Sequence, residues 1–227
     1  MRSTTITDEM YADFEDACSK AEMVKISELL HNHGNSIAQR YALHAAAKSG
    51  QMNVVHTLLG IGINNNGLDV FEWSAMHYAA YRNRVKALAC FCEEFPHDIE
   101  KRTGSGLFHG QESLLHIAAR GKATEALKYL IEKKYFDVNV RDQNNDTALH
   151  WAIKMQARGC ALLLIANGAD IHARNSSNRT PFDAESKDES ESTRKFKAEL
   201  LRIAENPAEL ANHVNTAQSD YREFRFM

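Results

Sequence analysis

Apolar residues recur along the chain in short groups three or four positions apart: Val54, Val55, Leu58 and Leu59; Leu88 and Phe91; Leu127, Leu130 and Ile131; Leu164 and Ile165. Polar residues fill the positions between them, which predicts a series of short helices, each with one buried face. Ahead of each group lies a segment rich in small residues: Leu43-His44-Ala45-Ala46-Ala47, Met76-His77-Tyr78-Ala79-Ala80, Leu115-His116-Ile117-Ala118-Ala119 and Leu149-His150-Trp151-Ala152-Ile153. The four histidines are 33, 39 and 34 residues apart. A period of this length marks a repeat protein, in which no unit buries its own apolar face and neighbours must stack.

Other positions hold the same register. Ser74, Ser113, Thr147 and Thr180 each stand three residues before the histidine slot, where a hydroxyl can cap the open amides of a starting helix. Pro181 then suits a first helical turn. Asn145 and Asn178 stand where a turn needs positive φ, which asparagine tolerates. Ala46, Ala79, Ala118 and Ala152 follow the histidine by two, where a small side chain lets the next layer approach. At the start, Phe14, Ala17, Val24, Ile26, Leu29 and Leu30 keep the apolar pattern without the histidine motif, as in a capping unit. At the far end Asp183 takes the histidine slot. A charged run to Glu191 follows, and then an amphipathic stretch with Phe196, Leu200, Leu201 and Ile203.

The run Asp142-Gln143-Asn144-Asn145-Asp146-Thr147-Ala148-Leu149-His150, with Asp137-Val138-Asn139 before it and Gly168-Ala169-Asp170 after it, closely resembles the ankyrin repeat. The likeness covers roughly residues 10 to 205. It implies an all-α ankyrin-repeat solenoid of stacked helix-turn-helix units with short β-hairpin fingers. The expected organisation is a capping helix pair over 1–34, repeats over 35–173, a capping repeat and helix over 174–206, and a tail over 207–227. It also implies function: ankyrin proteins bind other proteins on a concave face built from finger tips and first helices. Carried over by position, that face includes Val70, Phe71, Trp73, Tyr81 and Arg82, with Phe108, Glu112, Arg120 and Lys154 further along. His44, His77, His116 and His150 are structural under the same resemblance. Trp151 falls on a slot expected in the core.

The position four after each histidine slot reads Lys48, Tyr81, Arg120, Lys154 and Lys187, a mostly basic row suited to an acidic or phosphorylated partner segment. The opposing reading is a solvated face balanced by Glu112 and Asp146. The long interval before His116 maps to an insertion over 102–110 with three glycines and the apolar pair Leu107-Phe108, a loop that folds onto the aromatic cluster or reaches for a ligand.

Composition excludes more than it identifies. Lys plus Arg at 27 against Asp plus Glu at 30 gives a formal charge of -3, so bulk charge argues for neither nucleic acid nor membrane. No apolar run is long enough to span a bilayer. Cys18, Cys90, Cys92 and Cys160 fall inside apolar helical patterns and read as reduced thiols, which sets a cytoplasmic location. No metal, cofactor or catalytic residue is expected: His31 and His33 lack a third ligand, and Gly104-Ser105-Gly106 lacks the lysine of a phosphate-binding loop. The expectation is a protein-binding adaptor or scaffold. Its narrower form is a bacterial effector secreted into a host cytosol, on the strength of the Phe224-Arg225-Phe226-Met227 ending. The alternative from another class is a hydrolase or transferase using His109 of the 102–110 loop and a nearby carboxylate such as Glu112.

Overall fold

The computed structural model describes residues 3–33, 36–63, 67–69, 72–104, 110–183, 190–206 and 208–213. It divides into two compact units, Met1–Gly104 and Ser105–Met227.

In the first unit, α1 (Ser3–Ser19) and α2 (Met23–His33) form a pair, followed by α3 (Ser36–Ser49) with α4 (Met52–Gly60) and α5 (Ala75–Tyr81) with α6 (Val85–Glu94). In the second, α7 (Leu114–Arg120) pairs with α8 (Thr124–Glu132) and α9 (Ala148–Lys154) with α10 (Arg158–Ala166). Helix α11 (Glu191–Ala204) packs on α10. Within each unit, first helices stack on first helices and second on second: α1 on α3 and α3 on α5, α4 on α6, then α7 on α9 and α8 on α10. Ala46, Ala79, Ala118 and Ala152 are wholly buried at these first-helix contacts. A larger side chain at any of them would overfill a close-packed layer, at a cost of roughly 1–3 kcal/mol.

The turns repeat as faithfully as the helices. Asn83, Lys122 and Gln156 sit at φ 58°, 56° and 53° between the helices of their pairs. After the second helix, Gly62 and Gly168 take φ 86° and 87°, values that favour glycine.

The fingers are shorter than the expected hairpins. In the 141–147 finger a single antiparallel bridge joins Arg141 to Thr147, with Asp142 N–H donating to the Asp146 carbonyl at 2.9 Å. Asn145 and Asn178 occupy the tight positions at φ 57° and 59°. Helix α9 starts at Ala148, directly after the bridge, so no strand ladder extends from it among the described residues.

The ends differ from the middle. Pro181 to Asp183 form a turn, not the expected helical start, and Lys187 lies beyond it outside the described residues. Lys197 on α11 is buried and donates from Nζ to the Asp183 carbonyl at 2.8 Å, tying the last helix to that turn. Residue 207 and residues 214–227, on which the export reading rests, also lie outside the described residues.

Candidate partner-binding face

The histidine slot is the joint from which each candidate residue takes its place. Ser113 N–H donates to His116 Nδ1 at 3.2 Å and the Ser113 hydroxyl lies 2.8 Å from the same nitrogen, so the helix start is capped from within its own turn. A backbone N–H can only donate, so Nδ1 is unprotonated and Nε2 carries the proton. Nε2 donates to the Asp146 carbonyl of the following finger at 3.0 Å. His150 repeats the arrangement with Thr147 and the Arg179 carbonyl, at 3.1 Å in both bonds. His77 accepts from Ser74 N–H at 3.2 Å. In the terminal unit Asp183 keeps the first half of this task, accepting Thr180 N–H on Oδ2 at 2.6 Å. His44 keeps the second half: Nε2 reaches the Gly67 carbonyl at 3.0 Å, while Tyr41 stands in the hydroxyl slot and Nδ1 has no partner among the described residues. Burial accordingly lowers the His44 pKa to about 4. The four histidines are all buried, as the sequence pattern implied.

An aspartate organises each complete finger around the residue next to its histidine. Asp69 Oδ1 accepts Trp73 N–H at 2.9 Å and Oδ2 accepts the Tyr78 hydroxyl at 2.5 Å. Asp142 Oδ1 accepts the N–H groups of Asn144 and Asp146, and Oδ2 accepts Trp151 Nε1 at 3.1 Å. Trp151 is buried, in keeping with its core slot.

In the first unit these anchors assemble a run of rings. Trp73 lies edge-on to Tyr78 and Tyr81, with centroids 5.2 and 5.4 Å away, and Tyr11 lies edge-on to Tyr41 at 5.3 Å. All five rings are half-buried. Cations sit over them: Arg82 is 5.8 Å from the Tyr81 centroid, Lys48 is 5.5 Å from Tyr11 and Arg40 is 5.6 Å from Tyr41. Lys48 is paired with Glu15, and Arg40 donates to the Leu68 carbonyl. Arg82 is exposed and makes no ion pair among the described residues. Partial burial and the neighbouring Glu15 and Asp69 charges raise the Tyr11 pKa to about 12, so the ring run carries no charge of its own at neutral pH. Trp73, Tyr81 and Arg82, grouped by the sequence reading, lie next to one another. The sequence reading did not name Tyr11, Tyr41 and Tyr78, although a tyrosine in the serine slot at 41 was a visible departure. Val70 and Phe71 lie outside the described residues.

The second unit corrects two expectations. Glu112, expected on the surface, is buried with 1% of its area exposed, 3.4 Å from Arg120. Desolvation raises its pKa to about 7, with Asp142 adding to the shift and Arg120 opposing it. Arg120, expected in a basic ladder, is turned onto this carboxylate and over the Trp151 ring at 5.6 Å. Lys154 is exposed and lies 5.1 Å from the same ring. The basic row is thereby drawn largely into ion pairs and ring contacts. Phe108 and His109 lie outside the described residues, and the carboxylate assigned to the catalytic alternative is the buried Glu112. A polar cavity of about 320 Å³ opens between the 141–147 and 174–180 fingers, lined by Asn144, Lys154, Ser177 and Arg179 among others. No group of three or more metal-binding side chains occurs among the described residues.

A family model of ankyrin repeats, three copies, matches residues 15–103 and 97–175. The chain belongs to the ankyrin-repeat family. Among curated ankyrin-bearing relatives, the chicken nuclear factor NF-kappa-B p105 subunit is 32% identical over 146 residues, 62% of this chain and 14% of that protein. Human oxysterol-binding protein-related protein 1 is 38% identical over 73 residues, 32% of this chain and 8% of the other. Human neurogenic locus notch homolog protein 1 is 27% identical over 153 residues, 67% of this chain and 6% of the other. The chain therefore spans no more than 14% of the length of these relatives. Ankyrin repeats are protein-protein interaction modules, and no described helix is long and apolar enough to cross a membrane.

Proposed function

We propose that this chain is a protein-binding adaptor whose first unit grips its partner through Trp73, Tyr81 and Arg82, with Tyr11, Tyr41 and Tyr78 extending the contact. The observation that carries the reading is five half-buried rings, Trp73 edge-on to Tyr78 and Tyr81 and Tyr11 edge-on to Tyr41, with an exposed arginine that has no ion-pair partner among the described residues. Tryptophan, tyrosine and arginine dominate binding energy because each desolvates a large, stiff surface at little entropic cost. Arg82 favours an acidic or phosphorylated residue on the partner, since a charge-assisted bond to a guanidinium is among the stronger hydrogen bonds. The four cysteines, three buried and one half-buried and none in a disulfide among the described residues, suit a reducing compartment such as the cytoplasm.

The test replaces Trp73 and Tyr81 with alanine and measures capture of cellular partners together with thermal unfolding. Loss of capture with retained folding is the expected result. Undiminished capture would remove this face from the function.

A further inference from the structure

The second unit contains, between its own two fingers, a worked example of how a polypeptide turn docks on a finger. Arg141 Nη1 donates to the Asn145 carbonyl of its own finger at 2.9 Å and to the Arg174 carbonyl of the next at 2.8 Å. The Asn144 carbonyl accepts Ser176 N–H at 2.9 Å, and Asn145 Nδ2 donates to Ser176 Oγ at 3.1 Å. The docked turn thus offers a carbonyl at one residue, and an N–H and a hydroxyl two residues later.

The 174–180 finger presents the same three groups again. Arg174 Nη1 donates to its own Asn178 carbonyl at 2.8 Å, as Arg141 does to Asn145. Ser177 and Asn178 stand where Asn144 and Asn145 stood, and Asn178 shares the left-handed φ. Arg174, Ser177 and Asn178 are all exposed, and among the described residues no segment lies against them as 174–176 lies against 141–145. The helical layer beside them is covered: α11 packs on α10, and Gln156 Nε2 donates to Thr193 Oγ1 at 3.0 Å. Among the described residues α11 covers this helical layer and no segment covers the 174–180 finger.

We propose that this edge binds an exposed turn of a partner protein, one in which a main-chain carbonyl lies two residues before a serine or threonine. The turn's carbonyl accepts from Arg174, and its serine N–H and hydroxyl meet the Ser177 carbonyl and the Asn178 amide. Recognition reads main chain plus one hydroxyl, as in strand addition to a sheet edge. It uses no residue of the aromatic face and stands whether or not that face binds.

The test titrates the ¹⁵N-labelled full chain with a head-to-tail cyclised peptide copying residues 173–180, whose closure reduces the entropy lost on docking. Expected are shifts at the Ser177 and Asn178 amides and the Arg174 guanidinium, with a Kd on the order of 1 mM for so few hydrogen bonds. Replacing the peptide's first serine, the copy of Ser176, by alanine should weaken binding about fivefold, as should Asn178→Gly, which keeps the backbone conformation and deletes only the amide. The Trp73→Ala, Tyr81→Ala double variant should leave the titration unchanged. Absence of shifts at these residues at several times the expected Kd, or equal binding by the alanine peptide and by the Asn178→Gly protein, would overturn the proposal.

Discussion

His116 Nε2 lies 3.0 Å from the carbonyl oxygen of Asp146, a residue 30 positions further along the chain. The same ring accepts Ser113 N–H on Nδ1, so one buried side chain fastens a helix start and the following finger. His116→Ala leaves both groups without the imidazole. At about 1–3 kcal/mol for each buried polar group left unpaired, the loss should reach roughly 2–6 kcal/mol in a denaturant titration. Ser113→Ala removes only the hydroxyl and should cost about 1 kcal/mol.

His44 makes the protein sensitive to acid. Its folded pKa of about 4 lies below the ordinary value of 6.5, so between these limits the unfolded chain binds the extra proton. The contribution to stability is complete above pH 6.5 and is lost as pH falls toward 4, on the order of 3 kcal/mol in all. His44→Gln should flatten the acid limb of a plot of unfolding free energy against pH. An unchanged limb would assign the acid sensitivity elsewhere.

Glu112 acts in the opposite sense. Its folded pKa of about 7 lies above the ordinary 4.5, so across that interval the folded state holds the extra proton. Stability therefore falls as pH rises from 4.5 through 7, with the cost on the order of 3 kcal/mol at its full extent. Glu112→Gln keeps the shape without the charge. It should raise the melting temperature at pH 8 and change it little at pH 4.5.

Asp69 holds the aromatic face in place by bonding both Trp73 N–H and the Tyr78 hydroxyl. Asp69→Ala should loosen Trp73 before it unfolds the unit. With two tryptophans in the chain and Trp151 buried, the shift is readable as red-shifted fluorescence from Trp73. Partner capture should weaken in parallel.

The repeat register was legible because stacking imposes it on every unit: the histidines, the wholly buried alanines and the asparagines at positive φ all stand where their spacing put them. The proximity of Trp73, Tyr81 and Arg82 was legible by position in the same way. What escaped was the use of each charge. Arg120 and Lys154 occupy equivalent slots, yet Arg120 turns inward because Glu112 is buried beside it, a neighbour relation that no repeat offset encodes. Tyr11 went unnamed for a related reason, since α1 lacks the histidine that indexes the other units.

The histidine links run in one sense only: His44, His116 and His150 each extend a proton toward the chain's later residues. Asp183 has an acceptor in that place and nothing to hand on. Such a connector behaves like a coupling with distinct plug and socket, so a whole cassette spliced into either unit would mate with both neighbours provided that it carries its own histidine and finger, whereas one that lacks the histidine would have no plug to offer. Length added elsewhere, as in the 39-residue interval before His116, has to fall between these joints.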